Sequence, residues 1–415
     1  MPDAAHDHDG LHHPPPAYSL PRFGGGRRLL LVAAVVGVLG LALTAFGGIA
    51  APDDALLSYL TAFIYWLGIA LGGLLTTMAF NAAHGRWMIV LRRGMETTHA
   101  PMPAFVLLFL PILFFARRLF IWIDPPASLS HDALRILAGQ HIYLNFNFFI
   151  IRAVLYFTLF VGVSLLLWTW SNRQDSSTDP AESARLTRLQ RRLSAGALPL
   201  VCFFASFASF DWLLSLNPLY YSTLFGIYFL AGAFLGGIAL LVLISALLRH
   251  QPGTFGPYLS LAHFHNLGKL LLALVAFWAY IAFSQFMLTW HANLPAELPW
   301  YLERTTGPWK PVWLFLIFGN FLVPFFLLLS RDLKLRPRPL AVMAAWLLLG
   351  HFIDTWWLVV PTFHPHHIHF HWTQVTALLG IGGVVVSFAL SRARGRFPIP
   401  IGDPYLPDSL GYTQP

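Results

Sequence analysis

Long apolar runs follow one another along the chain from residue 29 onward. Each run is close to the about 20 residues that a helix needs to cross the hydrocarbon core of a bilayer. Barrel strands would be about ten residues long with strict two-residue alternation, which these runs do not show. The pattern predicts an all-α integral membrane protein with ten transmembrane helices. The runs fall at about 29–49, 56–80, 104–123, 144–170, 195–216, 221–248, 267–289, 312–329, 340–360 and 373–390.

The ten runs predict one membrane domain over residues 29–390 with a tail on either side. Residues 1–28 are rich in Pro, Gly and His and contain no apolar run, so we expect a disordered tail there. Residues 391–415 are the second predicted tail. The first run follows Arg27 and Arg28 as in a signal peptide, but it is long for one and starts far from the N-terminus, so we interpret it as a retained span.

Composition and charge agree with this interpretation and indicate an orientation. Only 11% of the residues are charged, whereas soluble proteins have roughly 25%. The net charge of +8 does not indicate nucleic-acid binding, because the basic residues are spread between spans. The two tails and the loops that follow helices 2, 4, 6 and 8 hold 19 Lys and Arg residues, whereas the loops that follow odd-numbered helices hold 5. This difference predicts that both termini are cytoplasmic.

The sequence also limits the cofactors that the chain can hold. Cys202 is the only cysteine, which excludes an internal disulfide and argues against an iron-sulfur cluster or covalent haem c held by this chain alone. Within the predicted spans His351 is the one histidine, so a bis-histidine b-type haem is not expected. Nucleotide-binding signatures are absent, so a nucleotide-driven pump is not supported.

Ionisable residues inside spans are functional candidates because an unpaired charge in the bilayer is costly. Two interpretations stay open for those found here: a buried ion pair of Arg152 with Asp211 or Asp354 that fixes helix packing, or a cluster for quinol head-group binding or proton transfer. On helix 4, Asn145 and Tyr156 share a face with Arg152. On helix 9, His351 and Asp354 share a face. The predicted outer-half cluster is Asn145, Arg152, Tyr156, Asp211, His351 and Asp354.

Helix 7 carries a second polar stripe of Lys269, Tyr280 and Ser284. Lys269 is near the predicted cytoplasmic end, where its side chain can reach the membrane surface. Gln285 points away from the stripe and is expected to bond a neighbouring helix.

Histidines are concentrated in two segments. His6, His8, His12 and His13 lie in the predicted tail, where we expect only adventitious metal binding. The outer loop between helices 9 and 10 has the sequence HPHHIHFH from His364 to His371. Imidazole suits zinc and copper, but the segment itself has no Cys or carboxylate, so we expect a hydrated, titrating loop and no metal site.

Four central segments of the chain, spread over more than 200 residues, resemble one protein family. The family is the second quinone-binding-type membrane component of alternative complex III, the bacterial quinol:cytochrome c oxidoreductase, and it is similar to the NrfD-like membrane subunits of polysulfide and nitrite reductases. The segments are YLNFNFFIIRAVLYF (Tyr143–Phe157), SFDWLLSLNPLYYSTLFG (Ser209–Gly226), NLGKLLLALVAFWAYIAFSQFMLTWHANLP (Asn266–Pro295) and IDTWWLVVP (Ile353–Pro361).

The resemblance implies a fold and a set of partners. Helices 2–5 and 6–9 would form two four-helix bundles flanked by helices 1 and 10, in the bacterial cytoplasmic membrane. The implied partners are a homologous ten-helix subunit, an iron-sulfur protein, multihaem and monohaem cytochromes c, small membrane anchors and a terminal oxidase. Haem c and iron-sulfur clusters would lie on those partners, and quinone or quinol would be the ligand of the membrane part.

The resemblance also implies a function and site residues. The chain would support quinol oxidation, assembly and proton transfer in the respiratory chain, with no chemistry by itself. The sequence departs from relatives at His291, where they tend to have Tyr, and at Ala296, where they tend to have an acid. An alternative from another class, motivated by the buried charges and the histidine loop, is a secondary transporter or metal-export protein. The family's polar positions correspond to Asn145, Arg152, Asp211, Ser284, Gln285 and Asp354.

Overall fold

The computed structural model describes residues 20–126, 129–293 and 297–413, and these residues form helices and loops without a strand. Ten of the helices are long and apolar enough to cross a membrane, so the chain is a multi-pass membrane protein. The predicted N-terminal tail lies largely outside the described residues. The spans, numbered helix 1 to helix 10, are Arg27–Ala50, Pro52–Ala82, Arg86–Phe114, Phe146–Ser176, Pro180–Leu216, Phe225–Leu248, Leu261–Ala292, Gly307–Leu329, Pro337–Thr362 and Thr373–Ala393.

Helix 3 differs most from its prediction. It begins at Arg86 and ends at Phe114, whereas the apolar run predicted residues 104–123. Its first half contains Arg92, Arg93 and Glu96, which are at most 5% exposed. These charges are buried because they pair with each other, and a hydropathy pattern that treats each residue separately assigns such a segment to a loop.

Helix neighbours follow a regular order. Helices 2 to 5 contact one another in sequence and helix 5 packs back on helix 2, while helices 6 to 9 form a second closed ring in the same way. Helix 2 joins the rings through contacts with helices 6 and 9. Helices 1 and 10 pack on each other and against helix 2. The arrangement as two four-helix bundles flanked by helices 1 and 10, which the resemblance implies, stays a prediction.

Glycines allow the closest helix approaches. A Cβ atom at Gly72 of helix 2 would lie 1.8 Å from the carbonyl oxygen of Ala233 on helix 6. The same holds between helices 1 and 10, where a Cβ at Gly40 would lie 2.6 Å from Gly380. Small residues at such crossings let backbones pack tightly in a bilayer, where little hydrophobic force acts between helices.

The C-terminal segment predicted as a tail is packed against the membrane domain. Leu406 is 3% exposed in a short helix, Leu406–Leu410, and the Ser409 hydroxyl donates to the carbonyl of Trp87. The N-terminal side adds to this contact, because the amide of Phe23 donates to the carbonyl of Arg396 at 2.7 Å. The end of helix 3 that carries its charges is therefore covered by the C-terminal residues.

Candidate functional site

A bidentate ion pair joins helices 4 and 5. Arg152 donates from Nε to Asp211 Oδ2 at 2.7 Å and from Nη2 to Asp211 Oδ1 at 2.8 Å. The Tyr156 hydroxyl donates to the same carboxylate at 2.8 Å. Arg152 is 5% exposed and Asp211 is fully buried. Of the two partners that the sequence left open for Arg152, the structure selects Asp211.

The remaining faces of the Arg152 guanidinium are also occupied. Its Nη1 donates to the carbonyl of Tyr143 at 2.8 Å, and its carbon lies 3.9 Å and 4.5 Å from the ring centroids of Tyr143 and Phe148. Cation–π contacts of this kind stabilise a desolvated cation. The charge and the N–H donors of Arg152 are thus compensated by neighbouring residues, as expected of an ion pair that stabilises helix packing.

Asn145 has a different role from the one its position on the helical face predicts. It is the N-cap of helix 4, and its side-chain oxygen accepts from the amide of Phe148 at 2.9 Å. Its amide group donates to the carbonyls of His141 and Ile142. Because an N-cap has non-helical backbone angles, counting 100° per residue from Arg152 does not locate its side chain.

Asp354 lies in a second group with partners from helices 6 and 7. Its carboxylate accepts from the Tyr228 hydroxyl and from Trp278 Nε1, the latter at 3.3 Å, and the residue is 3% exposed. No cation is among its hydrogen-bond partners in the described part of the chain. The polar residues that the sequence placed in one cluster therefore divide into two groups, Arg152 with Asp211 and Asp354 with Tyr228.

His351 packs in a slot lined by glycines, one turn before Asp354 on helix 9. A Cβ atom at Gly68, Gly232 or Gly236 would come within 3.0–3.3 Å of its ring. The residue is 6% exposed, and Nε2 has no hydrogen-bond partner among the described residues. Close approach of helices 2 and 6 to this ring thus depends on residues without side chains.

A cavity of about 410 Å³ lies beside Asp354, between helices 7, 8 and 9. Tyr228 and Trp278 form part of its wall, so the carboxylate is one hydrogen bond behind the cavity surface. The wall is otherwise mainly aromatic and aliphatic, and it includes Phe283, which is 61% exposed at the outer surface of helix 7. A π-helical turn, Leu316–Leu322, shapes the side on helix 8, and such turns are frequent at functional sites.

The short helix Leu298–Thr305 covers one end of this cavity. Its Trp300 stacks on Tyr220 with ring centroids 4.4 Å apart, and the Gln285 amide donates to the Tyr220 hydroxyl at 2.9 Å. Gln285 therefore bonds the loop between helices 5 and 6 and not a neighbouring span. Together these contacts hold aromatic side chains over the cavity.

Arg304 fixes this covering helix from its C-terminal end. Its Nη2 donates to Thr362 Oγ1 at 2.6 Å and its guanidinium carbon lies 4.0 Å from the Trp300 ring centroid. Burial lowers the pKa of Arg304, opposed by the neighbouring Glu303 carboxylate, but an arginine stays protonated at neutral pH. The covering helix is thus tied to the end of helix 9.

Two residues of the helix 7 stripe, Lys269 and Tyr280, lie at the surface of the protein. Tyr280 is 66% exposed, Lys269 is exposed and Ser284 is half-buried. Gln285, on the opposite face, is 3% exposed and lines the cavity. The helix contributes Gln285 to the candidate site, and the exposed residues of the stripe face the space that lipid or a partner would occupy.

A buried charged cluster at the other end of the spans was not predicted from the sequence. Arg93 donates from Nη1 to Glu96 at 2.5 Å and pairs with Asp175 of helix 4. Arg92 pairs with Asp403 of the C-terminal segment and lies 3.5 Å from Glu96. The spacing of the arginines three and four residues before Glu96 was the available signal, since such pairs share a helix face.

His99, also on helix 3, is fully buried, and its Nδ1 lies 2.8 Å from Ser164 Oγ. The prediction that His351 is the one histidine inside a span is therefore wrong. Helix 3 begins earlier than predicted, and helix 7, which runs over Leu261–Ala292, also contains His263, His265 and His291.

A scan of protein-family models and a search of curated proteins both find no match to the chain.

Proposed function

We propose that the chain is a membrane subunit of a bacterial quinol:cytochrome c oxidoreductase of the alternative complex III type, and that its cavity binds the quinol. The observation that carries this proposal is the juxtaposition of an aromatic cavity with Asp354, a buried carboxylate that has no cationic hydrogen-bond partner among the described residues. Quinol oxidation releases two electrons and two protons, so a quinol site needs a proton acceptor beside an apolar pocket. The Asp354 carboxylate can serve as this proton acceptor.

Size and lining support a quinol as the ligand. Small-molecule sites are commonly 300–1,000 Å³, mostly apolar, with a few polar groups that fix orientation. The cavity of about 410 Å³ has this character, with Tyr228, Trp278, Gln285 and Tyr301 among the residues that carry polar atoms. A quinol ring can stack on such aromatic walls while its hydroxyl meets the polar groups.

Electron transfer is assigned to partner subunits. The chain has one cysteine, Cys202, which matches a division of labour in which iron-sulfur clusters and haem c are held elsewhere. The proposed partners are a homologous ten-helix subunit, an iron-sulfur protein, multihaem and monohaem cytochromes c, small anchors and a terminal oxidase. This chain would bind quinol, receive a proton and hold the assembly in the membrane.

The position of Asp354 suits proton release toward the outside. It lies eight residues before the end of helix 9 at Thr362, about 12 Å at 1.5 Å per residue. With both termini in the cytoplasm, as the Lys and Arg distribution predicts, this end of helix 9 is periplasmic. The proposed path is from quinol through the hydrogen-bonded Tyr228 and Asp354 to the outer face.

Replacing Asp354 in the whole complex tests this function. Asp354→Asn keeps the shape and an acceptor oxygen but removes the basic carboxylate. We expect quinol:cytochrome c turnover to fall about tenfold or more, since a positioned acid or base contributes about 10²–10⁴-fold, with haem and iron-sulfur content unchanged. The matched control is Asp332→Asn, an exposed acid between helices 8 and 9, which should leave turnover unchanged.

Filling the cavity separates binding from proton transfer. Ala282→Trp places a large ring inside the cavity wall and should raise KM for quinol. Turnover at the wild-type rate in an assembled Asp354→Asn complex, together with an unchanged KM in the Ala282→Trp complex, would refute the site. Purification of the native chain without haem and iron-sulfur subunits would refute the assembly.

A further inference from the structure

Three histidines of the loop between helices 9 and 10 come together in space. The ring centroids of His364 and His369 are 4.4 Å apart, and that of His367 lies 5.3 Å and 5.6 Å from the other two. One ring nitrogen from each histidine lies within 4.8 Å of the corresponding nitrogens of the other two. All three side chains are partly or fully exposed, so they can rotate without disturbing the core.

The first turn of helix 2 supplies the carboxylate that the loop sequence lacks. Asp54 Oδ1 lies 3.0 Å from His364 Nε2 and 3.1 Å from His369 Nε2. Asp54 is 310 positions away from His364 in the chain, so the local pattern HPHHIHFH gave no indication of it. The reason for expecting no metal site, the missing carboxylate, does not hold in the folded chain.

We propose that Asp54, His364, His367 and His369 bind one divalent transition-metal ion of the zinc class. Three neutral imidazoles and a carboxylate form a four-ligand set that suits tetrahedral zinc. Zinc–nitrogen distances of about 2.0–2.1 Å place neighbouring ligand atoms about 3.3 Å apart. The ligand nitrogens of the three histidines are farther apart than this by up to about 1.5 Å, which rotation of the histidine side chains can close, whereas Asp54 Oδ1 already lies 3.0 Å and 3.1 Å from two of them.

The ligands are mounted on elements that are already held together. Ser58 of helix 2 and Thr373 of helix 10 share a hydrogen bond of 2.7 Å between their hydroxyls, which fixes the start of helix 2 against the end of the loop. The carbonyl of His364 accepts from Trp309 Nε1 at 2.8 Å, which fixes the other end. A metal ion here would therefore join helix 2 to the outer loop with four protein ligands, as structural zinc sites do.

Metal analysis of the full-length chain in detergent tests the proposal. The starting protein carries His6, His8, His12 and His13 replaced by alanine, because the N-terminal histidines could bind zinc independently. After chelator treatment, dialysis against micromolar ZnSO₄ should load one zinc ion per chain. His367→Ala, an exposed ligand whose loss should not affect folding, should abolish that ion, and Asp54→Asn should weaken zinc binding about tenfold or more.

The control is His366→Ala, an exposed histidine of the same loop that lies outside the ligand group. This variant should still bind one zinc ion per chain. Adding zinc should raise its thermal unfolding midpoint by the same amount as in the starting protein. No zinc bound by the starting protein, equal binding by His367→Ala, or equal loss in the two alanine variants would each overturn the site. The last result would mean diffuse chelation by the loop. None of these outcomes bears on the quinol site.

Discussion

Removing one partner of the Arg152–Asp211 pair should destabilise the protein more than removing both. In Asp211→Ala, the guanidinium remains 5% exposed in the bilayer region without its counter-ion, and the Tyr156 hydroxyl loses its acceptor. In the double variant Arg152→Met with Asp211→Leu, the same volume is filled by apolar side chains. The comparison distinguishes the cost of an unpaired charge from the net contribution of the pair.

The magnitudes follow from the contacts. Breaking a buried pair costs about 3–5 kcal/mol, because the remaining charge is desolvated and unpaired. Arg152 keeps its bond to the Tyr143 carbonyl and its ring contacts, so we expect Asp211→Ala near the lower limit, about 3 kcal/mol. The double variant should lose only about 1 kcal/mol, mainly from the Tyr156 hydroxyl left without its acceptor.

Equilibrium unfolding in mixed micelles, followed by tryptophan fluorescence, measures both values. Adding Tyr156→Phe to the double variant should recover most of the remaining loss, because it removes the hydroxyl that lost its Asp211 acceptor. A loss below about 1 kcal/mol for Asp211→Ala, or equal losses for the single and double variants, would refute the inference that this pair is a buried, compensated packing element.

Two further predictions concern packing away from the candidate site. Asp403→Ala removes the closer counter-ion of the buried Arg92 and leaves only Glu96, which is 3.5 Å away and shared with Arg93, so it should destabilise the protein by about 3 kcal/mol in the same assay. Asp408→Ala, which breaks an exposed pair, should cost at most about 1 kcal/mol, and equal losses would contradict the burial argument. Gly72→Ala should lower the free energy of unfolding by about 1–3 kcal/mol or prevent helices 2 and 6 from packing, because the new Cβ would lie 1.8 Å from a helix 6 carbonyl. The control Gly162→Ala has open space at its Cβ position and should leave the free energy of unfolding unchanged.

The sequence predicts most of the fold because membrane crossing imposes a length requirement that is visible locally. All ten spans were found as apolar runs. Helical phase correctly put Arg152 and Tyr156 on one face, and both residues bond Asp211 in the structure. Helix 3 was misplaced because Arg92, Arg93 and Glu96 are buried by pairing, which a hydropathy average cannot represent.

The partners of the remaining polar residues could not be predicted, because they depend on contacts between distant segments. Asp354 is bonded by Tyr228 and Trp278, whose polar atoms carry no hydropathy signal of a site. Asp54 resembles an ordinary acidic residue in a first helical turn until the fold places it against the histidine loop. Sequence patterns thus locate residues that are costly to bury but not the groups that compensate them.

The contrast between the two buried aspartates is the strongest physical argument for where function lies. Asp211 is matched by a bidentate arginine and a tyrosine hydroxyl, so its burial is compensated and serves packing. Asp354 has two neutral donors and no cationic partner among its described hydrogen bonds, and it adjoins a cavity. An uncompensated carboxylate is costly inside a membrane protein, and intramembrane ionisable groups of this kind mark proton and substrate paths. Leu or Met at position 354 would avoid the cost of burying a carboxylate, so the presence of Asp354 beside the cavity supports the proposed proton exchange with a bound ligand.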